Sequence, residues 1–213
     1  MAAAGWSTRH MLHFHQLLFV CGAEKTNLAP GFIARTAMFS VRFNRKNKHT
    51  ELKFRAVCEL LRARDLKILM VEAGAGDDFG RLTARSLRQL KDENGLMLAV
   101  CTSDYAEMTA SPYSSYAELV FAIDNHVDIL PLRVEETYPP QPPWGENHPF
   151  DKHGDAKGFV SMAMKSSVVF LDCRDKPEEQ IADEIEAKLR PWSWLKAPPH
   201  APSFARVEAV EDE

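Results

Sequence analysis

The sequence has no CxxC pair. Its four cysteines, Cys21, Cys58, Cys101 and Cys173, stand far apart. That spacing excludes a zinc ribbon or a thioredoxin-type redox pair. Cys58, Cys101 and Cys173 fall inside segments that read as helix or strand. They are expected to be buried free thiols in a reducing compartment, which makes the chain cytoplasmic. Long apolar runs are missing too, since no stretch approaches the ~20 residues that a membrane-crossing helix needs. Met11–Ala23 is the nearest thing to a signal-peptide core, and two histidines and a glutamine interrupt it. Secretion is therefore not expected. The acid-poor start with Arg9 and Arg35 has more of a transit peptide's character, though that is not the expectation either. Acid is scarce only at the start: residues 1–50 hold Glu24 against seven Lys/Arg, whereas the remaining 29 acids face 19 bases, a net of −10. So acidic a body lacks the clustered cations that replace counterions on a nucleic-acid duplex.

What is present is a regular alternation. A chain of 213 residues, 45% hydrophobic, suffices for one α/β domain with peripheral segments and is thin for two. Ala37–Phe43 reads as a strand, ended by a basic loop through Lys48. Thr50–Arg64 sets Leu52, Val57, Leu60 and Leu61 on one helical face. Leu66–Val71 is a second strand, and residues 72–80 form a glycine-bearing loop. A helix follows with Leu82, Ser86, Leu87 and Leu90, stopping at Asn94-Gly95. Then come a strand Leu96–Cys101, a helix Ser115–Asn125 and a strand Val127–Val134. The Pro-rich stretch 138–150 cannot continue regular structure. Ser167–Asp172 is a fifth strand and Glu178–Leu189 a final amphipathic helix. Five near-continuous apolar runs separated by helices imply a parallel sheet covered on both faces. Residues 1–35 read as an extension, disordered or targeting in character; 36–190 is the domain, with the insert at 138–150; 191–213 is a tail.

Glu118 is the residue on which function turns. It sits in Ser114-Ser115-Tyr116-Ala117-Glu118-Leu119, a short helix that follows a strand's carboxyl end, where doubly wound sheets bind ligands. A carboxylate there can do chemistry. Ser115-Tyr116-Ala117-Glu118 is equally an S-x-x-E capping box, in which the glutamate returns to the N-cap amide. Gly74, Gly76 and Gly80 have the spacing G-x-G-x-x-x-G, with Phe79 where a dinucleotide fingerprint wants glycine and with Asp77 and Asp78 repelling phosphate. A mobile loop is the expectation. Asp78-Phe79-Gly80 matches a kinase triplet without its partner motifs. His10, His13, His15 and Cys21 are metal-ligand types, but in an unpatterned apolar leader they read as incidental. Arg42–Lys48 reads as a solvated loop, with an anionic ligand as the alternative. His148 and His153 have no defined partner.

Taken together, these segments resemble the Toll/interleukin-1 receptor (TIR) domain family over residues 37–190. Met38-Phe39-Ser40-Val41-Arg42 is similar to the family's F-I-S-Y-R opening strand, and Cys101-Thr102-Ser103-Asp104-Tyr105 to its L-S-x-x-Y strand end. Ser114–Leu119 aligns with W-C-x-x-E-L, and Ile129-Leu130-Pro131-Leu132 with I-[LV]-P-[IV]. The departures are Val41 for tyrosine, Glu72 for aspartate, Ser114 for the aromatic, and a long insert. The resemblance implies a flavodoxin-like three-layer sandwich with a five-stranded parallel sheet. It also implies either an NAD glycohydrolase or cyclase, or a signalling scaffold of innate immunity that pairs with other TIR domains.

Cleaving the ribose–nicotinamide bond releases a neutral base from a cation. One carboxylate facing the oxocarbenium-like centre therefore suffices, with no metal and no cofactor beyond NAD as substrate. By the resemblance Glu118 is catalytic, while Ser40, Arg42, Phe43, Glu72, Gly74, Gly76, Ser114 and Ser115 bind substrate, residues 72–80 acting as a lid. The implied partners are NAD or a related nucleotide and further copies of the chain, without nucleic acid or a membrane span. A deoxyribosyltransferase-like enzyme, which also sets a carboxylate beside a ribose, is a third reading.

Overall fold

The computed structural model describes residues 34–42 and 48–190. Five strands alternate with five helices: β1 (Ala37–Ser40), α1 (Lys48–Ala63), β2 (Ile68–Met70), α2 (Phe79–Asp92), β3 (Leu96–Cys101), α3 (Ser115–Asp124), β4 (Asp128–Arg133), α4 (Asp155–Ala163), β5 (Leu171–Asp172) and α5 (Glu178–Leu189). The sheet order is β2-β1-β3-β4-β5, and every pairing is parallel. This is the flavodoxin-like, doubly wound order, whose topological switch point lies between β1 and β3.

The period-two alternation of a strand sorts side chains into two cores. Ala37 and Phe39 of β1, with Leu96, Leu98 and Val100 of β3, pack on Phe54, Val57 and Leu61 of α1 and on Ile181 and Ile185 of α5. Met38 and Met97 face the other way, onto Leu87 and Leu90 of α2 and Ala122 of α3. Ala99 and Cys101 share that side with Leu119 of α3 and Val160 of α4. Both faces are buried, so the strands read as continuous apolar runs. The result is three layers, with α1 and α5 below the sheet and α2, α3 and α4 above. Each fully buried Leu, Ile or Phe contributes roughly 1.5–3 kcal/mol to holding them together.

Helix ends follow local chemistry. α2 starts where Asp78 Oδ1 accepts the Arg81 N–H at 3.0 Å. It stops as Asn94 turns to φ +49° and Gly95 N–H reaches the Leu90 carbonyl at 2.7 Å. A β-carbon at Gly95 would lie 2.4 Å from Leu90 and 2.8 Å from the Thr36 carbonyl, so only glycine fits that stop.

Some expected boundaries are corrected. β1 ends at Ser40 rather than Phe43, and β5 has two residues because it pairs only with Leu132 and Arg133. Gly80 belongs to the first turn of α2 and not to a loop. α4 has no counterpart among the expected elements. Its start is organised from outside, by the buried Asp151 carboxylate, which accepts from the amides of Gly154 (2.7 Å), Asp155 (3.0 Å) and Ala156 (3.1 Å). The readings made for the N-terminal extension, Phe43, the centre of the basic loop and the tail lie outside the described residues.

Cys58, Cys101 and Cys173 are free and buried, as expected. No helix among the described residues is long and apolar enough to cross a membrane.

Candidate functional site at the switch point

Ser40 is the last residue of β1 and, in period with Met38, turns to the side of the sheet that α3 covers. Glu118 comes down from α3 to meet it. Ser40 Oγ donates to Glu118 Oε2 at 2.6 Å, and the Tyr105 hydroxyl lies 2.9 Å from the same Oγ. Ser40 and Tyr105 are fully buried and Glu118 is 6% exposed. Burial raises the Glu118 carboxyl from its ordinary 4.5 to about 7, and the hydrogen bond from Ser40 pulls the other way. Tyr105 is pushed well above its ordinary value by burial, so its phenol keeps its proton.

The capping reading of Glu118 is not what this geometry supports. Ser114 occupies the N-cap, which puts Ser115 at the first helical position and Glu118 one place beyond the capping-box position. Ser114 makes no side-chain cap bond, and Ser115 Oγ instead accepts the Ala106 amide at 3.2 Å. Ala106 is buried at φ +65°, a left-handed conformation that a non-glycine residue holds at a cost of about 1–3 kcal/mol. It lies between Tyr105, which enters the core, and Glu107, which faces Arg42.

Arg42 lies beside this cluster, already neutralised. Its Nη2 pairs with Glu107 Oε2 at 2.6 Å, and its Nε lies 3.4 Å from Asp104 Oδ2. That Nε is buried without a hydrogen bond. Glu107 also faces His148 Nε2 at 3.5 Å. His148 is not partnerless: its Nδ1 accepts the Asp151 amide at 2.8 Å and the Phe150 amide at 3.3 Å. An accepting Nδ1 leaves the proton on Nε2, directed at Glu107. The Pro-rich insert thus brings an imidazole to the edge of the site, while its Tyr138 packs against the cluster that holds Tyr105.

The remaining expected site residues lie elsewhere. Glu72 pairs with Arg55 (3.4 Å) and Arg62 (3.8 Å) of α1. Gly74 N–H donates to Asp77 Oδ2 at 2.9 Å, and Gly76 adopts φ +93° in the exposed turn that follows. Those bonds hold the 72–78 loop to itself and to α1, and none of them involves Glu118. Phe43 lies outside the described residues. Three of the expected residues, Ser40, Glu118 and Ser115, come together at the switch point, with Arg42 at its edge and Ser114 at the cap. A separate cavity of about 400 Å3, lined by His49, Lys53, Glu135, Arg174 and neighbours, opens at the ends of β4 and β5 and does not include Glu118. Among the described residues no cluster of three His, Cys, Asp or Glu side chains is arranged to hold a metal.

Tyr105, Glu107 and His148 are the site neighbours that the sequence reading missed. For Tyr105 a signal existed: it is the first aromatic after the end of the central strand, where a side chain turns inward at the switch point. For His148 there was none.

No protein-family model matches this chain, and no curated protein matches it in sequence.

Proposed function

We propose that this protein cleaves the N-glycosidic bond between ribose and nicotinamide in NAD, with Glu118 as the reacting carboxylate. One observation carries the reading: a buried carboxylate at the β1/β3 switch point, held by a strand-end serine and not spent on its own helix. The C1′–N bond breaks with its electron pair remaining on nitrogen, so nicotinamide departs neutral and needs no general acid. Positive charge develops over C1′ and the ring oxygen, where an ionised Glu118 offsets it. Water then adds at C1′ and loses its proton to Glu118 or solvent; addition of an adenine nitrogen instead gives a cyclic product. Arg42, released from Glu107 and Asp104, is the group suited to the pyrophosphate. The exposed 72–78 loop needs an external surface to hold it closed, which favours a self-associated active form.

The test is incubation of purified protein with NAD across a concentration series, read by nicotinamide release. Release that rises per molecule with concentration is the expected result, and none at any concentration overturns the proposal. A second reading, a non-catalytic scaffold pairing with like domains, draws support from Arg42 being fully countered and Glu118 being closed off. It predicts self-association in sedimentation with no nicotinamide released.

A further inference from the structure

We propose that Tyr105 is a positioning residue for Glu118, acting through Ser40. Ser40 Oγ owns one hydrogen and lies within reach of two oxygens, Tyr105 OH at 2.9 Å and Glu118 Oε2 at 2.6 Å. An ionised carboxylate only accepts, so the serine hydrogen goes to Glu118, and the phenol must then donate into the serine oxygen. Two hydrogens fill two links, all running toward the carboxylate. When Glu118 is neutral, three hydrogens compete for the same two links, and one buried O–H is left without an acceptor among the three groups. The tyrosine therefore sets the direction of the chain. Its donation polarises the serine hydroxyl and strengthens the bond that opposes the cost of burying the charge.

The surroundings leave this task to the network. Tyr105 and Cys101 flank the site from β3 and its following loop, and both are kept protonated by burial. From the β1 side comes Arg42, countered by Glu107 and Asp104. Val160 of α4 and Met164 just beyond it belong to the same buried cluster as Tyr105 and are apolar, and the phenols packed against that cluster, Tyr116 of α3 and Tyr138 of the insert, are kept protonated by burial. Tyr105 has no alternative polar contact among the described residues, and its ring is fully buried, so Phe can replace it with the packing retained.

This inference rests on Glu118 being the reacting group, but its test does not need turnover. The Glu118 carboxyl carbon is followed by NMR titration in the full chain for the parent, Tyr105→Phe, Ser40→Ala and the double variant. The expected result is a titration midpoint raised by about half a pH unit in Tyr105→Phe, a threefold change in proton affinity, and by more than one unit in Ser40→Ala. Tyr105→Phe added to Ser40→Ala should then move it no further. A midpoint unchanged in Tyr105→Phe overturns the proposal, as does an equal shift with and without Ser40. If the parent cleaves NAD, the acid limb of its pH–rate profile moves with the midpoint. If the parent does not, the functional reading fails while the titration still decides this one.

Discussion

Ser115 Oγ accepts the backbone N–H of Ala106 across 3.2 Å, stitching the first turn of α3 to the loop that leaves β3. Glu118, one place beyond the capping-box position of the same helix, is free of that helix end, and its carboxylate spans to Ser40 on β1.

Glu118→Gln follows from that arrangement. The amide oxygen still accepts from Ser40, so folding is preserved. What disappears is the charge facing the developing cation, worth ~3–4 kcal/mol of barrier or a few hundred-fold in rate for a well-placed group. Nicotinamide release should fall by that factor with the fold retained; near-parent turnover would remove Glu118 from the chemistry.

The same substitution has a pH signature in stability. The folded state holds the Glu118 proton to about pH 7, whereas the ordinary value is 4.5. A raised carboxyl contributes stability that is fully present below about pH 4.5 and is lost as pH climbs to 7. At about 1.4 kcal/mol per unit, the loss amounts to ~3–4 kcal/mol. Gln cannot ionise. In urea unfolding, Glu118→Gln should therefore gain on the parent between pH 5 and pH 8, whereas a difference independent of pH would show that the carboxyl titrates normally. Glu93 and Asp172, both lowered to about 2, act in a separate and more acidic window.

Gly80 and Tyr113 form a steric pair. A β-carbon at Gly80 would sit 2.1 Å from the Tyr113 ring, which lies against the first turn of α2 and is 44% exposed. Alanine is favoured over glycine in a helix by up to about 1 kcal/mol, but here it must first displace the ring. Gly80→Ala should be neutral or destabilising in the parent and stabilising by up to ~1 kcal/mol in a Tyr113→Ala background. Thermal unfolding of the four proteins measures the coupling, and equal effects in both backgrounds would deny the contact.

Asp151 carries the start of α4. Its carboxylate takes three backbone amides in a buried setting, and their bonds outweigh burial to hold its pKa below the ordinary value. Asp151→Ala leaves those donors without an acceptor and should cost ~2–3 kcal/mol. Because His148 leans on the same turn, amide exchange should quicken in both the insert and α4. Faster exchange in α4 alone would mean the insert is held by other contacts.

Much of the architecture was legible from the sequence because burial leaves a period. β3 and α5 lie where the apolar pattern puts them, and five continuous runs separated by helices could hardly pair other than in parallel. α4 escaped because its helix start is made by a carboxylate outside the segment and its interior contains Gly158. Glu118 was legible as a carboxylate at a strand's end, but its role was open. Capping and chemistry use the same residue types at the same spacing, and only the side chain's destination separates them.

That destination depends on distance in the fold rather than in the chain. Ser40 lies 78 positions from Glu118 and 65 from Tyr105, and the three meet only because β1 and β3 are adjacent in a 2-1-3-4-5 sheet. The same adjacency brings Glu107 to Arg42. The order of residues alone determined the layers, the parallel sheet and the candidate carboxylate, since these follow from local periodicity and strand continuity. Tertiary structure decided which polar atoms face that carboxylate, because loop side chains have no period and a buried oxygen takes whichever donor the strand order sets beside it.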